Sequence, residues 1–312
     1  MSCSMRLNRV ATRCWRNWPN GCGARCIESR MDWDLHALEA QIGALSHDRS
    51  LREPRELGRR IDALERLECW MLRADLMADA SLAQRAEVLT AELEAINRHV
   101  YQTLRNDIRQ GDGARVLHEW HATLRRIGDD EGYDALDELI GGVLQLGEPQ
   151  DEAELEDEMV FYQPTPARHI LDFIQRVPLN NRDVVIDLGS GLGHVTMLTA
   201  ICTQARCVGV ELQRSYVETA TRSVHALGLR NAQFIAEDVR QARLSDGTVF
   251  YLYTPVTGAM LRTVLDRLKC EAQSRAIRVC TLGPCTTVVA RESWLRADGE
   301  ADHKRVALFQ SR

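Results

Sequence analysis

The chain has 312 residues, 45% of them hydrophobic and 27% charged, which suits a folded protein of two modest domains and excludes wholesale disorder or a fibrous repeat. Its net charge of -6 is unevenly spread: +5 over residues 1–30, -16 over 31–158 and +5 over 159–312. No dense basic stripe marks a dedicated nucleic-acid binder, and no uncharged run reaches the ~20 apolar residues of a membrane span, so no membrane partner is expected.

Residues 1–30 are basic and lack the apolar core of a secretory signal, so they read as a disordered extension or a mis-called start, with Met31 opening a cleaner helical sequence. Cys14, Cys22 and Cys26 cluster there without an evident fourth ligand, and none of the ten cysteines forms a C-x-x-C pair. No metal site is expected, and a reducing cytoplasm is the expected compartment.

From 31 to 147 the apolar residues recur at helical spacing and predict an all-helical domain. Leu57, Ile61, Leu64, Leu67 and Met71 form one stripe; Leu82, Ala86, Leu89, Leu93, Ile96, Val100 and Leu104 form a longer one. Ser50 with Glu53 and Ser81 with Gln84 fit capping boxes. Gly111 and Gly113 break the long helix, helical spacing resumes over 116–127, and a last helix is expected at 133–144. Seven of the eleven residues from Glu148 to Glu158 are acidic, so 148–160 reads as a solvated linker or a mobile lid.

Beyond it, over 161–312, short β-rich runs alternate with helical stretches, as in a doubly wound α/β domain. Strands are expected at 184–189, 206–212, 232–238, 248–253, 276–282, 286–290 and 305–310, with helices at 166–176, 193–204, 214–227 and 258–273.

The chemistry concentrates in Asp187-Leu188-Gly189-Ser190-Gly191-Leu192-Gly193-His194, where a buried strand meets a glycine turn that opens a helix. The G-x-G-x-G spacing departs from the dinucleotide pattern and disfavours a dehydrogenase. Glu211 closes the second strand twenty-four residues after Asp187, where this fold places a carboxylate on ribose hydroxyls, and Asp238 with Val239 follows the third. Three acids at the ends of three successive strands converge on one ligand site.

On these residues the segment from about Tyr162 onward resembles the class I S-adenosylmethionine-dependent methyltransferases. The resemblance implies S-adenosyl-L-methionine as cofactor, with Asp187, Gly189, Gly191 and Gly193 meeting its methionine part, Glu211 its ribose, and Asp238 and Val239 its adenine. Phe161-Tyr162-Gln163-Pro164-Thr165-Pro166, ahead of Asp-Leu-Gly-Ser-Gly, is similar more narrowly to the non-SET histone lysine methyltransferases of the disruptor-of-telomeric-silencing type. In that family the Tyr and Thr belong to a loop closing over the cofactor, which makes Tyr162 and Thr165 candidate cofactor contacts.

After the fourth strand the similarity ends. The chain reads Tyr251-Leu252-Tyr253-Thr254-Pro255, without the Asn-Asn-Phe or Pro-Pro-Tyr elements that hold an acceptor amine. Tyr253 and Thr254 are the catalytic candidates, by hydrogen bonding to the acceptor, with His194 and Tyr162 as further candidate bases. His118 and His121, and Cys280 and Cys285, read as surface or packing residues. The expected function is methyl transfer to a protein or small molecule rather than nucleic acid. The alternative is a non-catalytic cofactor-binding or scaffold protein that keeps the fold.

Overall fold

The computed structural model of the chain describes residues 35–72, 79–124, 133–147 and 156–312. The basic extension with Cys14, Cys22 and Cys26, and the acidic run up to 155, lie outside the described residues.

The N-terminal half is helical: α1 (Leu35–His47), α2 (Leu57–Met71), α3 (Ala80–Arg109), α4 (Gly113–Leu124) and α5 (Ala135–Leu144). Packing divides the chain into two compact units. Among the described residues, the first unit holds 35–72, 79–103, 123–124 and 133–139, and the second holds 104–122, 140–147 and 156–312. The division therefore runs through α3, α4 and α5, whereas the sequence places one boundary near 147.

In the first unit both expected stripes face inward: Leu64 and Leu67 of α2 and Leu82, Ala86, Leu89 and Leu93 of α3 share a core with Leu38 and Ile42 of α1. Met71 packs at its margin. Neither expected capping serine is a cap. Asp48 accepts from the Ser50 amide and hydroxyl at 3.0 and 2.6 Å, and Asp79 accepts from the Leu82 amide at 3.0 Å. A carboxylate two residues upstream takes the role in each case, because its charge also suits the positive end of the helix.

The second unit is built on a seven-stranded sheet in the order β3-β2-β1-β4-β5-β7-β6. Its strands are β1 (Val184–Leu188), β2 (Arg206–Glu211), β3 (Ala232–Ala236), β4 (Val249–Tyr253), β5 (Arg278–Leu282), β6 (Leu295–Ala297) and β7 (Ala307–Ser311). The first five run parallel, while β7 pairs antiparallel with β5 and β6. Helix α6 (Ala167–Arg176) leads into β1, and α7 (His194–Cys202), α8 (Arg214–Leu227) and α9 (Gly258–Ser274) make crossovers between strands. The architecture is the doubly wound, Rossmann-like α/β fold expected from the sequence.

Parallel pairing buries both faces, so β1, β2 and β4 read as near-continuous apolar runs. Ile186, Leu188, Val208, Val210, Phe250 and Leu252 pack with Met260, Val264, Leu265 and Leu268 of α9. Tyr251, beside Asp187 in register, packs against Phe173 of α6 with ring centroids 5.2 Å apart.

Two expectations fail. Residues 286–290 form no strand; Cys285–Val289 is a short helix, α10, entered through Pro284 at φ -54°. The β-branched run Thr286-Thr287-Val288-Val289 imitates a strand, but the preset proline dihedral and the Cys285 amide, bonded to the Thr254 hydroxyl at 3.1 Å, start a helical turn. Strand β6 was not expected, because three residues carry no readable alternation.

The later helical segments of the second unit are tied to its other elements. A side chain on Gly113, which opens α4, would overlap Ile201 of α7. Arg109 donates to the Ala226 carbonyl of α8 at 2.9 Å, and the Ser223 hydroxyl to that of Leu144.

Candidate functional site

The strand order reverses between β1 and β4, and ligands of doubly wound sheets bind beyond the carboxyl ends of the strands at such a reversal. The glycine turn lies there. Gly189, Gly191 and Gly193 have φ of 79°, 53° and 86°, a region side-chain-bearing residues rarely adopt. The turn is pinned to β2, because the Gly189 and Ser190 amides both donate to the Val210 carbonyl, at 2.9 and 3.0 Å.

Glu211 reaches back to the same turn. Its carboxylate accepts from the Gly191 amide at 2.8 Å and the Gln213 amide at 2.9 Å, while burial pushes its pKa up against those bonds. Asp187 is 4% exposed and accepts from the Thr196 hydroxyl at 3.0 Å. Burial raises its pKa to about 7, with the Glu211 charge adding to the rise and the Thr196 bonds opposing it. Two carboxylates with suppressed ionisation beside a glycine turn form a site that a cationic ligand would recharge.

Asp238 has the opposite environment. The Arg240 guanidinium and amide hold its pKa down: Nη2 donates to Oδ2 at 2.6 Å, Nε to Oδ1 at 3.0 Å, and the Arg240 amide to Oδ1 at 2.7 Å. Val239, next to it, is buried in the sheet core.

Tyr162 lies over the turn, and a Cβ on Gly191 would overlap its ring. The Tyr162 hydroxyl is 3.1 Å from His194 Nδ1, and the ring meets Tyr216 edge-on at 5.3 Å. The segment that carries it is anchored along its length: Glu156 pairs with Arg240, Glu158 accepts from the Ala259 and Met260 amides at 3.0 and 2.8 Å, and Met159 bridges Val256. Residues 156–162 thus form a strap across the ends of β3, β4 and β1. The described part of the expected linker or mobile lid is docked. Glu158 caps α9 from a hundred positions away, which no local pattern discloses.

Thr165 is buried and within reach of the Tyr251 phenol, whose ionisation burial suppresses. The Tyr251 hydroxyl and the Ser190 hydroxyl are buried without a hydrogen-bond partner. Orphaned polar atoms of this kind call for explanation, and both border the Asp187 turn.

Of the catalytic candidates, Tyr253 is half-buried at the end of β4 and burial pushes its phenol up, partly offset by Arg168. It is therefore neutral near pH 7, able to donate or accept a hydrogen bond and unsuited to act as a base. The Thr254 hydroxyl donates to the Leu282 carbonyl at 3.1 Å and accepts from Cys285, so both of its roles are taken within the fold. Its backbone is strained at φ 42°, costly for a β-branched residue. Cys280 and Cys285 are buried, and burial pushes the Cys280 thiol up to about 12, in keeping with packing.

Sequence reasoning missed Tyr216, Phe234, Arg240, Glu156 and Glu158. Phe234 of β3 fills the space above Gly193 and Gly209, where any Cβ would overlap its ring. Among the described residues no group of three His, Cys, Asp or Glu is placed to hold a metal, and no helix is long and apolar enough to cross a membrane.

Residues 159–248 match the family model of the histone methylation protein DOT1, a span that holds Tyr162, the glycine turn and all three acids. No protein of curated function matches the chain. Among solved structures, an RNA methyltransferase from Salinibacter ruber in complex with S-adenosyl-L-homocysteine is 22% identical over 48% of this chain and 92% of that one, at a TM-score of 0.39. A methyltransferase from Geobacter sulfurreducens is 17% identical over 49% of this chain and 80% of that one, at 0.37. A SAM dependent methyltransferase from Aquifex aeolicus is 15% identical over 46% and 88%, also at 0.37.

Proposed function

We propose that the chain is an S-adenosyl-L-methionine-dependent methyltransferase whose acceptor is a protein or a small molecule. One observation carries the reading: the positive-φ glycine turn and the acids ending β1, β2 and β3 share one sheet edge and lie within the span that the DOT1 family model matches. The residues suit the cofactor. Asp187 and Glu211 offer carboxylates to an ammonium group and ribose hydroxyls, and the Ser190 and Tyr251 hydroxyls are buried and unpaired.

When bound, the cofactor supplies a methyl group activated by its sulfonium. Bound there, it would offer that methyl group to a lone pair of the acceptor, with the demethylated thioether as leaving group. The protein's share is alignment and exclusion of water. Tyr162 and Thr165 would cover the methionine end, and Asp187 would hold the ammonium. Val239 would back the adenine with Asp238 at its edge, and Tyr253 would orient the acceptor by a hydrogen bond. Thr254 contributes through its strained turn, which sets the direction in which Tyr253 leaves β4.

A second reading, a cofactor-binding or scaffold protein without turnover, has one observation in its favour. The Thr254 hydroxyl is consumed by the fold, and no amide or carboxylate stands after β4 to hold an amine. Incubating the full chain with methyl-labelled S-adenosyl-L-methionine and fractionated cell extract separates the two. Label transferred to a protein or small-molecule fraction, and lost with Gly191→Val, supports the enzyme; cofactor binding with no transfer to any fraction supports the scaffold.

A further inference from the structure

The strap and the third strand meet at one guanidinium. Arg240 grips both oxygens of Asp238, with Nε at 3.0 and 2.9 Å and Nη2 at 2.6 Å, and the same Nη2 donates to Glu156 Oε1 at 2.9 Å. Nη1 lies 3.4 Å from the other Glu156 oxygen, so both carboxylates are engaged by one planar fork. Asp238 is well covered, its side chain 15% exposed, whereas Glu156 at 56% faces solvent. Glu156 begins the strap that continues through Glu158, Met159 and Val160 to the Tyr162 ring over Gly191. A chain of contacts thus joins the Asp238 carboxylate to the Tyr162 ring over the glycine turn.

We propose that Arg240 is a positioning residue that couples seating of the cofactor's adenine end at Asp238 to docking of the strap over the glycine turn. The inference rests on the methyltransferase reading above. A carboxylate oxygen has two lone-pair directions, and the fork fixes Asp238 in one rotamer while leaving it acceptor capacity for an exocyclic amine. A ligand that holds Asp238 in place also holds the guanidinium, and through it Glu156 and the strap. The coupling is reciprocal: closure of the strap over the methionine end stiffens the adenine end.

Arginine and lysine are not equivalent here, since an ammonium cannot span two carboxylates with paired bonds. Arg240→Ala, Arg240→Lys, Glu156→Gln and Tyr162→Ala in the full chain, titrated with S-adenosylhomocysteine by calorimetry and followed by hydrogen exchange, test the proposal, with thermal melts as the folding control. Arg240→Ala is expected to weaken binding about three- to fivefold, the scale of an exposed ion-pair network. It should also abolish ligand-induced protection of residues 156–162 while residues 189–193 stay protected. Arg240→Lys should recover only part of both effects. Glu156→Gln should lose the strap protection with a smaller affinity loss. The losses in the Arg240→Ala/Tyr162→Ala double variant should be less than additive, because either change already uncouples the strap.

Additive losses, or wild-type strap protection in Arg240→Ala, would overturn the coupling while leaving the cofactor assignment intact. A wild-type chain that fails to bind S-adenosylhomocysteine removes both.

Discussion

Arg60 and Asp187 are both buried and both ionisable, and the two units treat them in opposite ways. Arg60, fully enclosed among α2, α3 and the turn before α2, donates to Asn97 Oδ1 at 2.6 Å and to the carbonyls of Leu51, Glu53 and Pro54 at 3.1, 2.6 and 3.2 Å. Its hydrogen bonds stitch a turn to a helix, and a side chain so committed has nothing to offer a ligand. Asp187 takes its partner from Thr196, and burial lifts its pKa to about 7. The helical unit uses buried polarity to hold itself together, whereas the carboxyl edge of the sheet buries a carboxyl whose ionisation its surroundings oppose.

The sharpest way to break this contrast is Gly191→Val. The residue combines φ of 53° with a ring directly over its Cα, so a β-branched side chain is strained and displaces Tyr162. Calorimetry should detect no S-adenosylhomocysteine binding while circular dichroism still reports a folded chain; normal affinity would place the ligand elsewhere. Next in size, Arg60→Ala takes the donor from the Asn97 oxygen and one donor from each of three carbonyls, of which Glu53 keeps the Glu56 amide, and should cost about 3 kcal/mol of stability in chemical denaturation. Its cofactor affinity should be that of the wild type, and a matching affinity loss would blur the division of labour between the units.

Glu211→Ala removes the acceptor assigned to the ribose hydroxyls and the Gly191 amide, and should weaken binding by about 1–3 kcal/mol. The pH dependence sharpens the comparison further. Asp187 is protonated below about 7 in the folded protein and must ionise to hold an ammonium group. Affinity should therefore rise with pH, by at most about tenfold per unit below that value, and level off above it, with a proton released on binding. Stability of the ligand-free protein moves the other way for this group. A raised folded pKa favours the folded state most at low pH, and that contribution is lost as pH climbs from about 4 to about 7. Asp187→Asn should flatten both curves. A smaller effect than these belongs to Tyr162→Phe, which loses the hydroxyl contact to His194 and should cost about 1 kcal/mol of affinity.

Local patterns made the strands and the glycine turn legible. Val184–Leu188 and Arg206–Glu211 are dense apolar runs with an acid at the last position or the one before it, and the α8 bounds fall where helical spacing places them. What stayed hidden depends on distance in sequence. Glu158 reads as one more acid in a charged run, yet it caps a helix that starts at Gly258. Arg240 reads as a surface basic residue, and only the folded chain brings Glu156 to it from 84 positions away. The α10 error has another cause: four β-branched residues outweighed one proline in the reading, and the fold decided for the proline.

Phe234 carries a further consequence. Its ring lies against both Gly193 and Gly209, and a Cβ at Gly209 would also come within 2.7 Å of the Ser190 hydroxyl. Gly209 lies in a strand, so space there, rather than a positive φ, requires glycine. The three positions behave as one hereditary unit. A side chain introduced at 209 overlaps the aromatic ring unless the ring has been cut back, and trimming the ring first opens a void over the glycine turn. Mutational paths through this corner of the protein are therefore ordered in time: Phe234→Ala, which removes the ring atoms that Gly209→Ala would meet, has to come first, and the Ser190 hydroxyl has to swing aside as well.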